Sequence, residues 1–110
     1  MKMYLDTSTD QCTLKLDDNV YTWLAMHDLA EQIFTFIHDK LEENNADWQD
    51  ISEIVFFAGP GSFTGLRIGA AVVNTLADQL KIPLYNHRGE QCQVIIPDYG
   101  RPANVTAPKK

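Results

Sequence analysis

The strongest constraint on this chain is an eleven-residue stretch, Gly59-Pro60-Gly61-Ser62-Phe63-Thr64-Gly65-Leu66-Arg67-Ile68-Gly69, that directly follows the apolar run Ile54-Val55-Phe56-Phe57-Ala58. A short apolar run bounded by turn residues suits a strand covered on both faces. Gly61, Gly65 and Gly69 then recur every four residues, which stacks them on one face of a helix beginning near Ser62. A glycine inside a helix costs about 1 kcal/mol relative to alanine, so a stripe of them needs a reason, and close approach of another backbone is the usual one. Ala70, Val73 and Ala77 extend a small-residue surface along the same helix. The approaching backbone is the chain's own first helix or sheet, a helix of another subunit, or both along different parts of the stripe.

Nucleotide motifs do not fit this stretch. A Walker A loop needs four residues between its glycines and then Lys-Ser/Thr, whereas five residues separate Gly59 from Gly65, and Leu66 follows. In the dinucleotide fingerprint G-x-G-x-x-G, Gly59 and Gly61 match, but Thr64 stands in place of the third glycine. Arg67, alone in an apolar segment, either pairs with an acid or caps carbonyls, or serves a partner surface.

Around this element the pattern is that of a small α/β domain. Met3-Tyr4-Leu5, Cys12-Thr13-Leu14-Lys15-Leu16 and Val20-Tyr21-Thr22-Trp23-Leu24 read as a three-stranded antiparallel meander, with Asp17-Asp18-Asn19 as one turn. A first helix over 28–43 follows, with Asp28 as N-cap, Glu31 completing a capping-box-like pair, and Leu29, Ile33, Phe36, Ile37 and Leu41 on the apolar stripe. A second helix spans 62–80, and Ile82-Pro83-Leu84-Tyr85 is a further buried strand. The order β-β-β-α-β-α-β implies a parallel crossover. The expected division is one domain over 1–87 and an extended, proline-punctuated C-terminal arm over 88–110.

Composition narrows the function. The chain has 110 residues, 45% of them hydrophobic and 22% charged, as in ordinary globular domains. No apolar run approaches the ~20 residues of a membrane span, and Met-Lys-Met-Tyr-Leu-Asp carries no export-signal pattern, so a cytoplasmic location is expected. Cys12 and Cys92 lack metal-ligand spacing and read as reduced thiols. The net charge is −6. Residues 1–87 hold five Lys/Arg against thirteen Asp/Glu, a net of −8, and residues 88–110 hold four against two, a net of +2. An acidic body argues against holding RNA directly, because backbone binding works by releasing phosphate counterions to a basic surface. Between Asp39 and Glu53 six acids face only Lys40: a solvated helix end, or an acidic docking patch.

The stretch from Gly59 to Gly69 resembles the signature of the TsaB/YeaZ family. Leu5-Asp6-Thr7-Ser8-Thr9 through Cys12 is similar to that family's opening, His27 to its entry to the first helix, and Pro97-Asp98-Tyr99-Gly100-Arg101-Pro102 to its closing arm. The resemblance implies one half of an actin/Hsp70/sugar-kinase-like (ASKHA) fold. The arm follows almost directly after Tyr85, so either a naturally compacted form or a designed internal deletion of the family's second half is expected. In ATP-using relatives the nucleotide lies between two halves; one half forms no such cleft, and no cofactor is expected. The sister subunit TsaD resembles a metalloprotein with a His-x-x-x-His pair, whereas His27, His38 and His87 are never four apart, so no metal site is expected. Asp6, at the position of an acid near the phosphates in such relatives, is expected to cap the following turn. Ser62 and Thr64 are expected to cap the helix rather than to act as nucleophiles.

What the resemblance implies instead is a non-catalytic subunit. It would bind TsaD, or a second copy of itself, and support transfer of a threonylcarbamoyl group to the adenosine beside the anticodon of tRNA, with TsaE joining through the complex and tRNA contacted only indirectly. The partner surface is expected on the two helices, at Ile33, Phe36, Ile37, Gly61, Gly65, Arg67, Gly69 and Val73. A stand-alone peptidase or phosphotransferase, and a self-associating homologue without the tRNA role, are the alternatives.

Overall fold

The computed structural model describes residues 1–25 and 28–99. His27 and residues 100–110 lie outside these, and with them the expected family likeness at the helix entry and at the end of the arm. The strands are β1 (Lys2–Asp6), β2 (Gln11–Leu16), β3 (Asn19–Leu24), β4 (Glu53–Phe56), β5 (Leu84–Asn86) and β6 (Gln91–Cys92), and the helices are α1 (Leu29–Glu43) and α2 (Phe63–Leu80). They form one six-stranded sheet in the order β3-β2-β1-β4-β5-β6. The meander β1–β2–β3 is antiparallel, β1–β4 and β4–β5 are parallel, and β6 returns antiparallel on β5.

Alternation decides which side of each strand is covered. Met3, Leu5, Cys12, Leu14, Leu16, Ile54, Phe56 and Leu84 point to one face and are buried with Leu29, Ile33, Ile37 and Leu41 of α1 and Leu66, Val73 and Leu76 of α2. Both helices therefore lie on the same side of the sheet. The opposite face, carrying Tyr4, Val55 and Tyr85, is only partly shielded. This corrects the expectation for β4: its apolar run is packed on one face and open on the other.

Helix ends follow local chemistry. Ser62 caps α2, its Oγ accepting from the Gly65 N–H at 3.2 Å. At α1, Asp28 is the N-cap residue, but its side chain makes no cap hydrogen bond; it accepts instead from Gln32 Nε2 at 3.1 Å. The capping box expected with Glu31 does not form, since the exposed carboxylate has a side-chain donor one turn on. A capping box exists further along, where Asp47 and Asp50 close a single 3-10 turn, Trp48–Asp50.

Beyond residue 87, where the extended arm is expected to begin, the chain continues against the body as far as the described residues run, to Tyr99. Asn86, His87, Arg88, Gly89 and Glu90 make a tight reversal with Gly89 at φ +87°, and β6 extends the sheet. The chain then crosses α2, where Ile95 is buried and Asn74 grips its backbone at two points: Oδ1 accepts from Ile95 N–H at 2.7 Å and Nδ2 donates to its carbonyl at 3.2 Å. Asp98 N–H then donates to the Ala58 carbonyl at 2.7 Å, and Tyr99 packs tilted against Phe63, ring centroids 4.6 Å apart. Residues 93–99 are without regular secondary structure, as the prolines predict, yet they are part of the packed molecule.

Candidate functional site

The glycine stripe of α2 meets the turn between β1 and β2. Asp6 Oδ1 accepts from the Ser8 N–H at 2.8 Å and from its hydroxyl at 2.6 Å, an Asx turn that reverses the chain, so Asp6 caps as expected. The Ser8 carbonyl accepts from the Ser62 N–H at 2.8 Å, and the Thr7 hydroxyl donates to the Gly65 carbonyl at 2.7 Å. A Cβ at Gly61 would lie 2.5 Å from Ser8 Cβ; one at Gly65 would collide with the Thr7 carbonyl oxygen; one at Gly69 would collide with Thr7 Oγ1 and come within 2.6 Å of the Phe56 ring. The space left by the missing side chains is filled by the chain's own β1–β2 turn and β4.

This changes the reading of the expected partner surface. Ile33, Ile37 and Val73 are fully buried, and Gly65 and Gly69 are buried as well. Gly61 is exposed, though a side chain there would run into Ser8. Phe36 is half-buried and stacks on Trp23, with ring centroids 4.2 Å apart. Of the eight residues Arg67 is the other exposed one, its guanidinium 5.3 Å over the Phe63 ring. Periodicity placed the apolar stripe correctly, but that stripe is the one that seals the core. The outer face of the helix pair is marked instead by Phe34 (39% exposed) and Phe63 (57% exposed), which sequence reasoning left out. Their signal was an aromatic residue out of phase with the apolar stripe.

The chemistry-bearing groups are engaged in structural bonds. Ser62 Oγ holds the start of α2 and Thr7 joins β1 to α2. Burial, with Asp6 and Asp10 nearby, pushes the Cys12 thiol up to about 11, far from the thiolate a nucleophile requires. His87 Nδ1 accepts from the Ala58 N–H at 3.2 Å while its ring lies 4.4 Å from Phe57, so it pins β4 to the turn after β5. Thr7, Thr9, Asp10, Ser62 and Thr64 border a hollow of about 310 Å³ beside the start of α2. Asp10 at its rim opposes an anion there. His38, half-buried beside Trp48, and the exposed Asp39 and Glu42 bring potential metal-ligand atoms within 4.8 Å of one another on α1, an exposed acidic grouping of a kind common without a metal.

Known proteins place this architecture. The protein-family model described as "TsaD: tRNA N6-adenosine threonylcarbamoyltransferase" matches residues 22–87. The tRNA threonylcarbamoyladenosine biosynthesis protein TsaB of Escherichia coli K12 is 30% identical over 84 residues, covering 73% of this chain and 36% of that protein. The TsaB of Bacillus subtilis 168 is 46% identical over 48 residues, 44% of this chain and 21% of that protein. In three dimensions YeaZ from Pseudomonas aeruginosa superposes with a TM-score of 0.68 at 30% identity, covering 77% of this chain and 42% of that chain. The chain thus spans about two-fifths of the length of such relatives, and its sheet and two helices are those of an ASKHA-like half. By motif, sequence similarity and superposition alike, it belongs to the TsaB/YeaZ family.

Proposed function

We propose that this chain is an accessory subunit in the making of threonylcarbamoyladenosine in tRNA, binding a TsaD-type partner in the cytoplasm rather than carrying out the transfer itself. The names of its relatives support the pathway. The observation that carries the accessory role is the outer face of the α1/α2 pair. There Phe34, Phe63 and Arg67 are presented to solvent on a layer whose inner side is closed by the core. Aromatic and arginine side chains at the centre of a rigid helical face are what protein interfaces use as anchors. The Thr7 and Ser62 hydroxyls and the His87 imidazole hold a strand–helix contact, a helix start and a strand end, and the Cys12 thiol is buried, which favours a binding role over a peptidase or phosphotransferase. TsaE joins through the assembled complex, and tRNA is held by the partner, since the acidic body repels phosphate.

The test is co-expression with a TsaD and affinity capture of the complex. The wild-type chain retains TsaD, whereas Arg67→Glu combined with Phe63→Ala loses it by about tenfold or more, as expected for anchor residues. Melting curves establish that the variant is folded. Failure of the wild-type chain to retain TsaD, or full retention by the folded double variant, overturns the proposal.

A further inference from the structure

Beyond β6 the chain runs back along the outward side of α2. Asn74 and Phe63 lie eleven residues apart on that helix, about three turns, which returns them to within about 20° of the same side. Ile95 is tied to Asn74 through both of its backbone groups, and four residues later the Tyr99 ring meets Phe63, centroids 4.6 Å apart. Four extended steps cover about 13 Å and eleven helical ones about 16 Å, so this strap follows the helix towards its N-terminus. Its root and its tip are held differently. At the root Ile95 is buried and carries the two bonds to Asn74. Ile96 then stands 81% exposed, and the tip rests on the Ala58 carbonyl through Asp98 N–H and on Phe63 through the half-buried Tyr99. The seat under the tip is provided by the glycine-rich stretch: a Cβ at Gly59 would collide with the Asp98 carbonyl oxygen. The first glycine of the stretch thus leaves the room that the tip fills.

We propose that the strap is an autoinhibitory contact: with Tyr99 seated, the chain itself occupies part of the Phe63 ring, and a TsaD-type partner reaches the whole ring only when residues 96–99 lift away. This rests on the reading of the α1/α2 face as the partner surface. The Phe63 ring carries the Arg67 guanidinium at 5.3 Å on one account and the Tyr99 ring at 4.6 Å on the other, so both anchors are engaged within the chain before a partner arrives. An aromatic anchor works by filling a desolvated pocket on the partner. A ring paired with Tyr99, with the backbone of residues 98 and 99 beside it, does not enter such a pocket. Tyr99 therefore competes with the partner for one side chain. The apparent affinity falls in proportion to the fraction of molecules whose strap is open. One aromatic pair shifts that balance by about three- to tenfold, so the strap tunes the partner's binding without abolishing it. Its root at Ile95 stays in the core while the tip moves, which makes the change local and reversible.

Titration of the full chain against a purified TsaD, with amide exchange on the free chain, tests this. The wild type binds, and Tyr99→Ala binds about three- to tenfold more tightly, the shift that one aromatic pair supplies. Tyr99→Phe keeps the ring and stays within about twofold of wild type. Asn74→Ala frees the root of the strap and also tightens binding. In both alanine variants the Asp98 amide exchanges faster while β1 and β4 keep their protection. Should Tyr99→Ala fail to fold, Asn74→Ala decides alone. A wild type that binds, with Tyr99→Ala binding equally or more weakly, overturns the strap and leaves the partner face standing; the weaker case makes Tyr99 part of that face. If neither the wild type nor the folded Tyr99→Ala binds, the partner face itself is overturned and the strap's role with it.

Discussion

Thr7 and Gly65 show how one residue's shape is dictated by another far away in sequence. Thr7 is fully buried, its carbonyl lies where a Cβ at position 65 would go, and its hydroxyl bonds the Gly65 carbonyl. Gly65→Ala and Gly69→Ala each offer a helix-propensity gain of up to about 1 kcal/mol. Against that stands the cost of overpacking a rigid site, about 1–3 kcal/mol, and the obstructing atoms are a backbone carbonyl at one position and a packed hydroxyl and Phe56 ring at the other. Both substitutions are therefore expected to lower stability by about 1–2 kcal/mol, read as a fall in the denaturation midpoint with unchanged slope. Gly89→Ala provides a control of different origin, with open space around a Cβ but a backbone φ of +87° that disfavours any side chain. Loss of TsaD capture on enlarging Gly65 or Gly69 would accordingly report a damaged fold, not a wedge between subunits. The spacing of the glycines was legible from sequence as a need for close approach. Which backbone approaches was not, because the β1–β2 turn arrives across 58 residues of chain.

At the scale of elements, the regular pieces were readable because their signals are local. Period two in Cys12–Leu16, period 3.6 in Leu29–Leu41 and the cap at Ser62 each act within a few residues. β6 was missed although Asn86 and Gly89 are hairpin residues, since a two-residue strand carries no periodicity of its own. The return of residues 93–99 over α2 was hidden for another reason: it hangs on one side chain. Asn74 satisfies both backbone groups of Ile95 and so replaces a strand that is not there. Asn74→Ala leaves those two groups without their partner beside a buried isoleucine, at a cost of about 1–3 kcal/mol. That loss falls locally. Amide exchange is expected to speed up at Ile95 and Asp98 while the core strands β1 and β4 keep their protection; equal loss everywhere would mean that the arm and body unfold as one unit.

The whole molecule is a two-layer sandwich with only one filling: a sheet, a pair of helices over one side, and nothing over the other among the described residues. The candidate partner face and the strap therefore share α2, whereas Lys2 on β1 is directed to the open side of the sheet, with the core between them. Substitutions on surfaces separated by packed layers act independently, and those that share a partner do not. Lys2→Glu should accordingly leave TsaD capture at its wild-type level. Tyr99→Ala and Phe63→Ala meet at one ring, so the gain from Tyr99→Ala should disappear in a chain that already carries Phe63→Ala. The measurement is a double-mutant cycle of TsaD titrations, with Lys2→Glu alongside as the distant control. A response to Lys2→Glu would mean that the sheet transmits strain between its faces, and a gain that survives without the Phe63 ring would mean that the strap acts elsewhere on the surface. The first is the harder to build: β1 and β4 are braced by continuous registers on either side, so a charge added at the end of β1 has little freedom to move α2.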